Sequence, residues 1–330
     1  MENTQLSLFD LDALFGKLEN DSDAKNNSGL HNAKAMKNDE FYTMLSDIED
    51  ELKHYKDFFK GKIVYCNCDD ARESNFFKYF VLNFETLGLK KLIATGYKKY
   101  ERGVVFIYDG SKKIDIENIV VDYLNGNGDF RSDECVEFLK EADVVVTNPP
   151  FSLFRLFVTL LMEYGKKFLI LGNQNAITYK EVFPHIKNNE LWLGVNSNKV
   201  MEFSMPLSYE KYDRIEGDRK YGKVPAISWF TNIPHDKRSE EILLNKEYNP
   251  ENYKKYDNYN AIEVSKVSDI PINYDGIMGV PITFLGKYNP NQFEIIGHEH
   301  DLRGTGNSES LSGFKINGTE VYKRILIRRK

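Results

Sequence analysis

The sequence predicts an α/β protein in which a largely parallel sheet is covered by helices on both faces. Short, continuously apolar segments recur between residues 62 and 231, as in strands buried on both sides. Stretches with helical periodicity separate them, which is the alternation of a parallel sheet. The length of 330 residues gives room for one such domain and an attached module.

In order along the chain, Leu8, Leu11, Phe15 and Leu18 recur at helical spacing, so residues 7–18 predict a short amphipathic helix. Residues 19–38 are polar and lack aromatic side chains, as in a flexible linker. Residues 62–67 form the first buried strand. Residues 75–84 form a helix opened by Ser74 or Asn75. Further strands are expected at 91–95, 104–108, 143–147, 167–172 and 226–231, with helices at 133–141 and 153–164. The polar stretch 196–223 interrupts the last two strands. From about 233 the texture turns to Tyr, Asn and Lys with Gly-rich turns, a second and less regular region. In such sheets ligands sit outside the carboxyl ends of the strands.

Several classes are excluded. No apolar run approaches the roughly 20 residues that span a bilayer, and the N-terminus lacks a signal-peptide pattern. Cys66, Cys68 and Cys135 are too few for a disulfide framework, so a reducing cytoplasm is expected. With no CxxC and no HExxH, no metal is expected; Cys66 and Cys68 read as small packing residues. His298-Glu299-His300 reads as a surface loop. The net charge of −6 is uneven. Residues 1–50 hold 4 basic and 11 acidic side chains, while the last eight hold five basic and none acidic. The acidity belongs to the head, and the chain behind it need not repel phosphate.

The residues that carry chemistry are Asn148-Pro149-Pro150-Phe151, directly after the strand at 143–147. Two prolines fix φ and stiffen the turn. The Asn148 side-chain oxygen and the Pro149 carbonyl are two acceptors that can hold both N–H bonds of an exocyclic amine. They favour the pyramidal nitrogen and stabilise the positive charge that grows as it attacks. Phe151 adds a ring on which a base can stack.

Together with the segments 39–52, 64–80, 88–94, 127–132, 145–155, 168–183, 229–232 and 274–285, this motif resembles the EcoRI modification methylase family of adenine-specific DNA methyltransferases. The resemblance runs over about residues 31–330. It implies a class I S-adenosylmethionine-dependent fold, Rossmann-like, with a seven-stranded, mostly parallel sheet. It implies catalysis by Asn148, Pro149, Pro150 and Phe151. Asp39, Glu40, Phe41, Tyr42 and Thr43 match the cofactor motif near the methionine end. Asp69 and Asp70 fall where the first strand meets the cofactor loop. Asp129 and Phe130 match the third-strand motif that usually accepts the adenine amino group of the cofactor. Two departures stand out. The loop at 66–71 has no glycine where the backbone should approach the cofactor closely, and the strand at 92–95 lacks a terminal acid for the ribose.

The organisation implied is a head and linker at 1–38, a methyltransferase domain at 39–232, and a target-recognition region at 233–330, with 196–223 as a further DNA-facing insertion. The reaction implied is methyl transfer to adenine N6 of double-stranded DNA after base flipping. The setting is a restriction-modification or orphan enzyme, with a cognate restriction endonuclease encoded separately if one exists. Cytosine N4, RNA or protein glutamine remain open as other amine substrates, and a non-catalytic DNA-binding module as a non-enzyme reading. Finally, Gln5, Leu6, Leu8 and Phe9 resemble a sliding-clamp-binding peptide, which would tether the enzyme through the linker; the amphipathic helix is the competing reading.

Overall fold

The structure, a computed structural model, describes residues 42–205, 207, 209–299 and 313–330. The tether at 5–9, the helix at 7–18, the linker, Asp39, Glu40, Phe41, His300 and nearly all of the loop 303–313 lie outside the described residues.

The strands are β1 (Tyr42–Thr43), β2 (Ile63–Cys66), β3 (Lys91–Gly96), β4 (Val104–Tyr108), β5 (Asp122–Tyr123), β6 (Val144–Thr147), β7 (Lys167–Asn173), β8 (Trp192–Leu193) and β9 (Met201–Met205). They continue with β10 (Arg214–Glu216), β11 (Arg219–Val224), β12 (Ile227–Thr231), β13 (Ile262–Glu263), β14 (Met278–Pro281), β15 (Phe293–His298), β16 (Lys315–Ile316), β17 (Thr319–Glu320) and β18 (Arg324–Arg329). The helices are α1 (Leu45–Leu52), α2 (Asn75–Leu82), α3 (Phe84–Leu87), α4 (Asp133–Glu141), α5 (Phe154–Glu163) and α6 (Phe183–Lys187).

The central sheet has the order β5-β4-β3-β2-β6-β7-β12-β8. Its middle four strands, β3, β2, β6 and β7, run parallel. The other four pairings are antiparallel. The expected seven-stranded, mostly parallel sheet is therefore corrected to an eight-stranded mixed one. The cause is the connection between β3 and β4. Residues 97–103 are too short for the dozen or more that a parallel crossover needs, so β4 turns back as a hairpin.

β2 and β6 are buried along their whole length, because both faces are covered. Along β2 the side chains alternate between two cores. Ile63 and Tyr65 join Phe157, Leu160 and Leu161 of α5 on one face. Val64 and Cys66 join Ile48 and Leu52 of α1 and Phe77 and Phe80 of α2 on the other. Ser74 caps α2 as expected, its Oγ accepting from the Phe76 and Phe77 N–H groups at 3.1 and 3.2 Å. Ser74→Ala is expected to cost about 1–2 kcal/mol in urea unfolding; a midpoint unchanged from the parent would contradict the cap.

The stretch 196–223 does separate neighbouring strands of the sheet, β8 and β12. It is also a sheet of its own: β9, β11 and β10 pair in sequence, with β1 added alongside β9. A further sheet, β13-β14-β18-β15, packs into the same apolar cluster as the α5 face of the central sheet. The basic end of the chain is an inner strand of it. Ile325, Leu326 and Ile327 are buried, and Arg324 and Arg328 are paired with Glu263 and Glu294. His298-Glu299 is not a surface loop: His298 ends β15, buried edge-on against Phe183 at 4.1 Å. The apolar spacing Phe293, Ile295, Gly297 makes it strand. No helix among the described residues is long and apolar enough to cross a membrane.

Candidate active site

β6 ends at Thr147, and the Asn148-Pro149-Pro150 turn leaves the carboxyl end of a central parallel strand. A single 3-10 turn, Phe151–Leu153, then feeds α5. Pro149 is buried, while Asn148, Pro150 and Phe151 are half-buried. The turn is held from behind by α5, whose Phe154, Phe157 and Leu161 are fully packed. Asn148 Oδ1 is itself buried, and the Phe151 ring is half-buried against this stiff support.

The loop after β2 lies beside it. Asp69 is only 8% exposed, and both of its carboxylate oxygens accept hydroxyl hydrogen bonds. Ser74 Oγ donates to one at 2.6 Å, and Thr147 Oγ1 donates to the other at 2.5 Å. Burial pushes the Asp69 carboxyl up to about 6 against these donors. Asp70 is different. Burial would raise it too, but the Arg72 guanidinium fork, at 2.6 and 2.9 Å, and Lys98 at 3.2 Å hold it below the usual carboxylate range.

The glycine-free loop packs closely on a glycine across the sheet. A Cβ on Gly96, the last residue of β3, would meet Asp70 Cα at 3.0 Å. Gly96 lets the loop after β2 pack closely against the end of β3. Gly128, at φ +80°, completes the packing: a Cβ there would meet the Gly96 carbonyl oxygen at 2.6 Å.

Asp129 follows directly. Its carboxylate accepts from Arg131 N–H and from the Arg131 guanidinium at 2.8–3.0 Å. Burial raises its pKa, yet these donors hold it below the usual range. Phe130 turns inward, 4% exposed, with its ring edge-on to Phe157 at 5.0 Å. Tyr42 and Thr43 form β1. Asn75 Nδ2 donates to the Thr43 carbonyl at 2.8 Å, which joins this strand to the start of α2. Arg219 of β11 lies over the Tyr42 ring at 4.6 Å. Phe41 falls outside the described residues.

The loops after β2 and β6 are therefore joined directly, and the turn before α4 reaches them through Gly96. Two polar groups here fit a polar ligand. Thr43 Oγ1 and both polar atoms of the Asn67 side chain are buried without a hydrogen-bond partner among the described residues. A buried amide left so is costly, and a bound group that supplies donors and acceptors relieves it. Sequence reasoning passed over Asn67, Ser74 as a partner of Asp69, Thr147 and Arg131. Asn67 had a signal in its position, at the end of the first strand.

Comparison with known proteins gives the class. The profile of the family described as adenine-specific methyltransferase EcoRI matches residues 29–330. The Type II methyltransferase M.EcoRI of Escherichia coli is 48% identical, over 92% of this chain and 97% of its own length. M.MpnI of Mycoplasma pneumoniae is 43% identical over 91% and 98%, and M.MgeORF184P of Mycoplasma genitalium 38% identical over 91% and 98%. A solved RNA methyltransferase chain from Pyrococcus horikoshii overlaps 59% of this chain and 87% of its own at 15% identity and a TM-score of 0.30, a likeness too loose to argue from. The chain is thus a methyltransferase. More narrowly, the chain belongs to the EcoRI family of adenine-specific methyltransferases. Among the amine substrates left open by the residues alone, membership decides for adenine.

Proposed function

We propose that this enzyme transfers the methyl group of S-adenosylmethionine to N6 of adenine in double-stranded DNA. The observation that carries the reading is the Asn148–Phe151 turn at the carboxyl end of β6, tied to the loop after β2 by the Thr147–Asp69 hydrogen bond. S-adenosylmethionine would supply an electrophilic methyl on a sulfonium. The chain's own residues do the rest. Asn148 Oδ1 and the Pro149 carbonyl accept the two amino hydrogens, orient the nitrogen lone pair and stabilise its developing positive charge. One of those protons then leaves to solvent. Phe151 stacks on the flipped base.

Thr43 and Asn67, with their unpartnered buried atoms, would hold the cofactor together with Tyr42, Asp70 and Asp129 of the matched motifs. Arg131 covers Asp129, so Asp129 reaches a cofactor amine only through its remaining lone pairs. The class I, Rossmann-like assignment is supported by the neighbours β3-β2-β6-β7 and the antiparallel β12 next to β7. Residues 233–330 and the sheet β9-β11-β10 are the candidate DNA readers, acting in the cytoplasm with a separately encoded restriction endonuclease as the cognate partner. The clamp tether at Gln5, Leu6, Leu8 and Phe9 rests on its peptide pattern alone. Equal clamp pull-down by the parent and a Leu8→Ala/Phe9→Ala variant would remove it.

Tritiated-methyl transfer into duplex DNA, followed by nucleoside analysis, tests the function; label recovered outside N6-methyladenine would sink it. Phe151→Ala is expected to lower kcat/KM about 5- to 150-fold, the equivalent of one lost base stack of roughly 1–3 kcal/mol. A drop below twofold in steady-state assays would show that Phe151 does not stack on the base.

A further inference from the structure

Asp69 sits where a cofactor ligand was expected, yet its surroundings are those of a brace. Both oxygens already accept hydroxyl hydrogen bonds, and almost none of the side chain reaches solvent. The two donors come from opposite sides of the reaction. Ser74 caps α2, the helix that Asn75 joins to the Thr43 strand. Thr147 is the residue immediately before Asn148. The Asp69 N–H also donates to the Thr95 carbonyl of β3 at 2.9 Å, so the backbone carrying the carboxylate is pinned to the sheet.

We propose that Asp69 is a positioning residue for the catalytic turn and not a ligand of the methyl donor. Its buried carboxylate fixes the Thr147 hydroxyl, and with it the peptide from which Asn148 projects. The proposal rests on the methyl-transfer reading for its kinetic arm and on the hydrogen bonds alone for its structural arm. A carboxylate held by hydroxyls in a dry interior makes short, charge-assisted bonds with little freedom. The chain of contacts is continuous: α2 N-terminus, Ser74, Asp69, Thr147, Asn148. Displacement of the acceptor amide at Asn148 by even a fraction of an ångström loosens the two-acceptor geometry that holds the amine. Thr147, one residue from the reacting nitrogen's acceptor, has the leverage; Asp69 supplies the anchor.

The test uses Thr147→Val, which keeps the shape and removes only the hydroxyl, together with Asp69→Asn and the double variant. Expected results are a fall in kcat of at least fivefold in each single variant, with KM and calorimetric Kd for S-adenosylmethionine within threefold of the parent. The double variant should be no worse than the poorer single, because both remove one shared interaction. Amide hydrogen exchange over residues 147–155 should quicken in both singles, a readout independent of turnover that stands even if methyl transfer itself were misassigned. The proposal is overturned if Asp69→Asn raises the Kd for S-adenosylmethionine tenfold while Thr147→Val leaves it unchanged, which is the signature of a ligand. It is equally overturned if exchange over 147–155 is unaltered. Should Asp69→Asn fail to fold, the kcat and exchange of Thr147→Val decide the matter alone.

Discussion

Asn148→Ala is expected to reduce methyl transfer by about a thousandfold or more, with the affinity for S-adenosylmethionine changed less than threefold. Removing one preorganised group that stabilises transition-state charge typically costs 10²–10³ in kcat. Here the lost group also orients the nucleophile, so the upper end applies. Asn148 projects from the turn after β6, and its loss leaves the buried Pro149 and the packing behind it in place. Asn148→Asp keeps an oxygen acceptor at the same reach beside the Pro149 carbonyl and is expected to recover much of the rate. Single-turnover transfer from tritiated cofactor separates the variants; turnover by the Ala variant above a tenth of the parent's would refute the assignment of Asn148.

Asp69→Asn is expected to make the protein more stable at pH 8 while making it a poorer enzyme. Burial pushes the Asp69 carboxyl from 3.8 to about 6, so the folded state prefers it protonated. Such a group contributes stability that is fully present below its unfolded pKa and is lost as pH rises through its folded one. Between about pH 4 and pH 6 the parent therefore forfeits on the order of 3 kcal/mol, from roughly two pKa units. An amide at this position stays neutral throughout. The difference between variant and parent should be near zero at pH 4 and approach that figure at pH 8. The groups facing Asp69 do not blur the window. Ser74 and Thr147 do not titrate there, and burial holds the Cys66 and Cys68 thiols well above it. Asp70, Arg72 and Lys98 satisfy one another. Urea unfolding across pH 4–8 measures this; parallel curves for the two proteins would show that the carboxylate is not strained. Opposite signs for stability and rate mark a group retained for function.

Much of the frame was legible because burial on both faces writes itself as an unbroken apolar run. The strands at β2, β3, β4, β6, β7 and β12 fall within a residue of expectation, and α4 matches at both ends. Strand direction was not legible from the runs themselves. It lay in the seven residues between β3 and β4, a length that only a hairpin satisfies. The sheet within 196–223 was hidden by its polar character, although Met201, Phe203 and Met205 are buried at every second position of β9. The basic end reads as a run of unpaired charge, because sequence shows charges and not their partners; Glu263 and Glu294 lie far away in the chain.

At the site, the position of the Asn148–Phe151 turn at a strand end was readable, since its four residues are contiguous and follow an apolar run. The surroundings of Asp69 were not, because Thr147 is 78 residues away and nothing local announces it. The same holds for the glycine on which the glycine-free loop packs. Gly96 serves Asp70 from another strand, a contact that exists only once β2 and β3 are paired.

The sheet β13-β14-β18-β15 shares one apolar interior with the α5 face of the central sheet. Ile262, Val280, Ile295 and Ile325 lie in the same cluster as Tyr65, Val145 and Phe157. A chain ended after Thr231 would open that interior to water, so the last hundred residues complete the fold of the central sheet. Any replacement of the chain beyond this seam would have to rebuild that interior before it could do anything else.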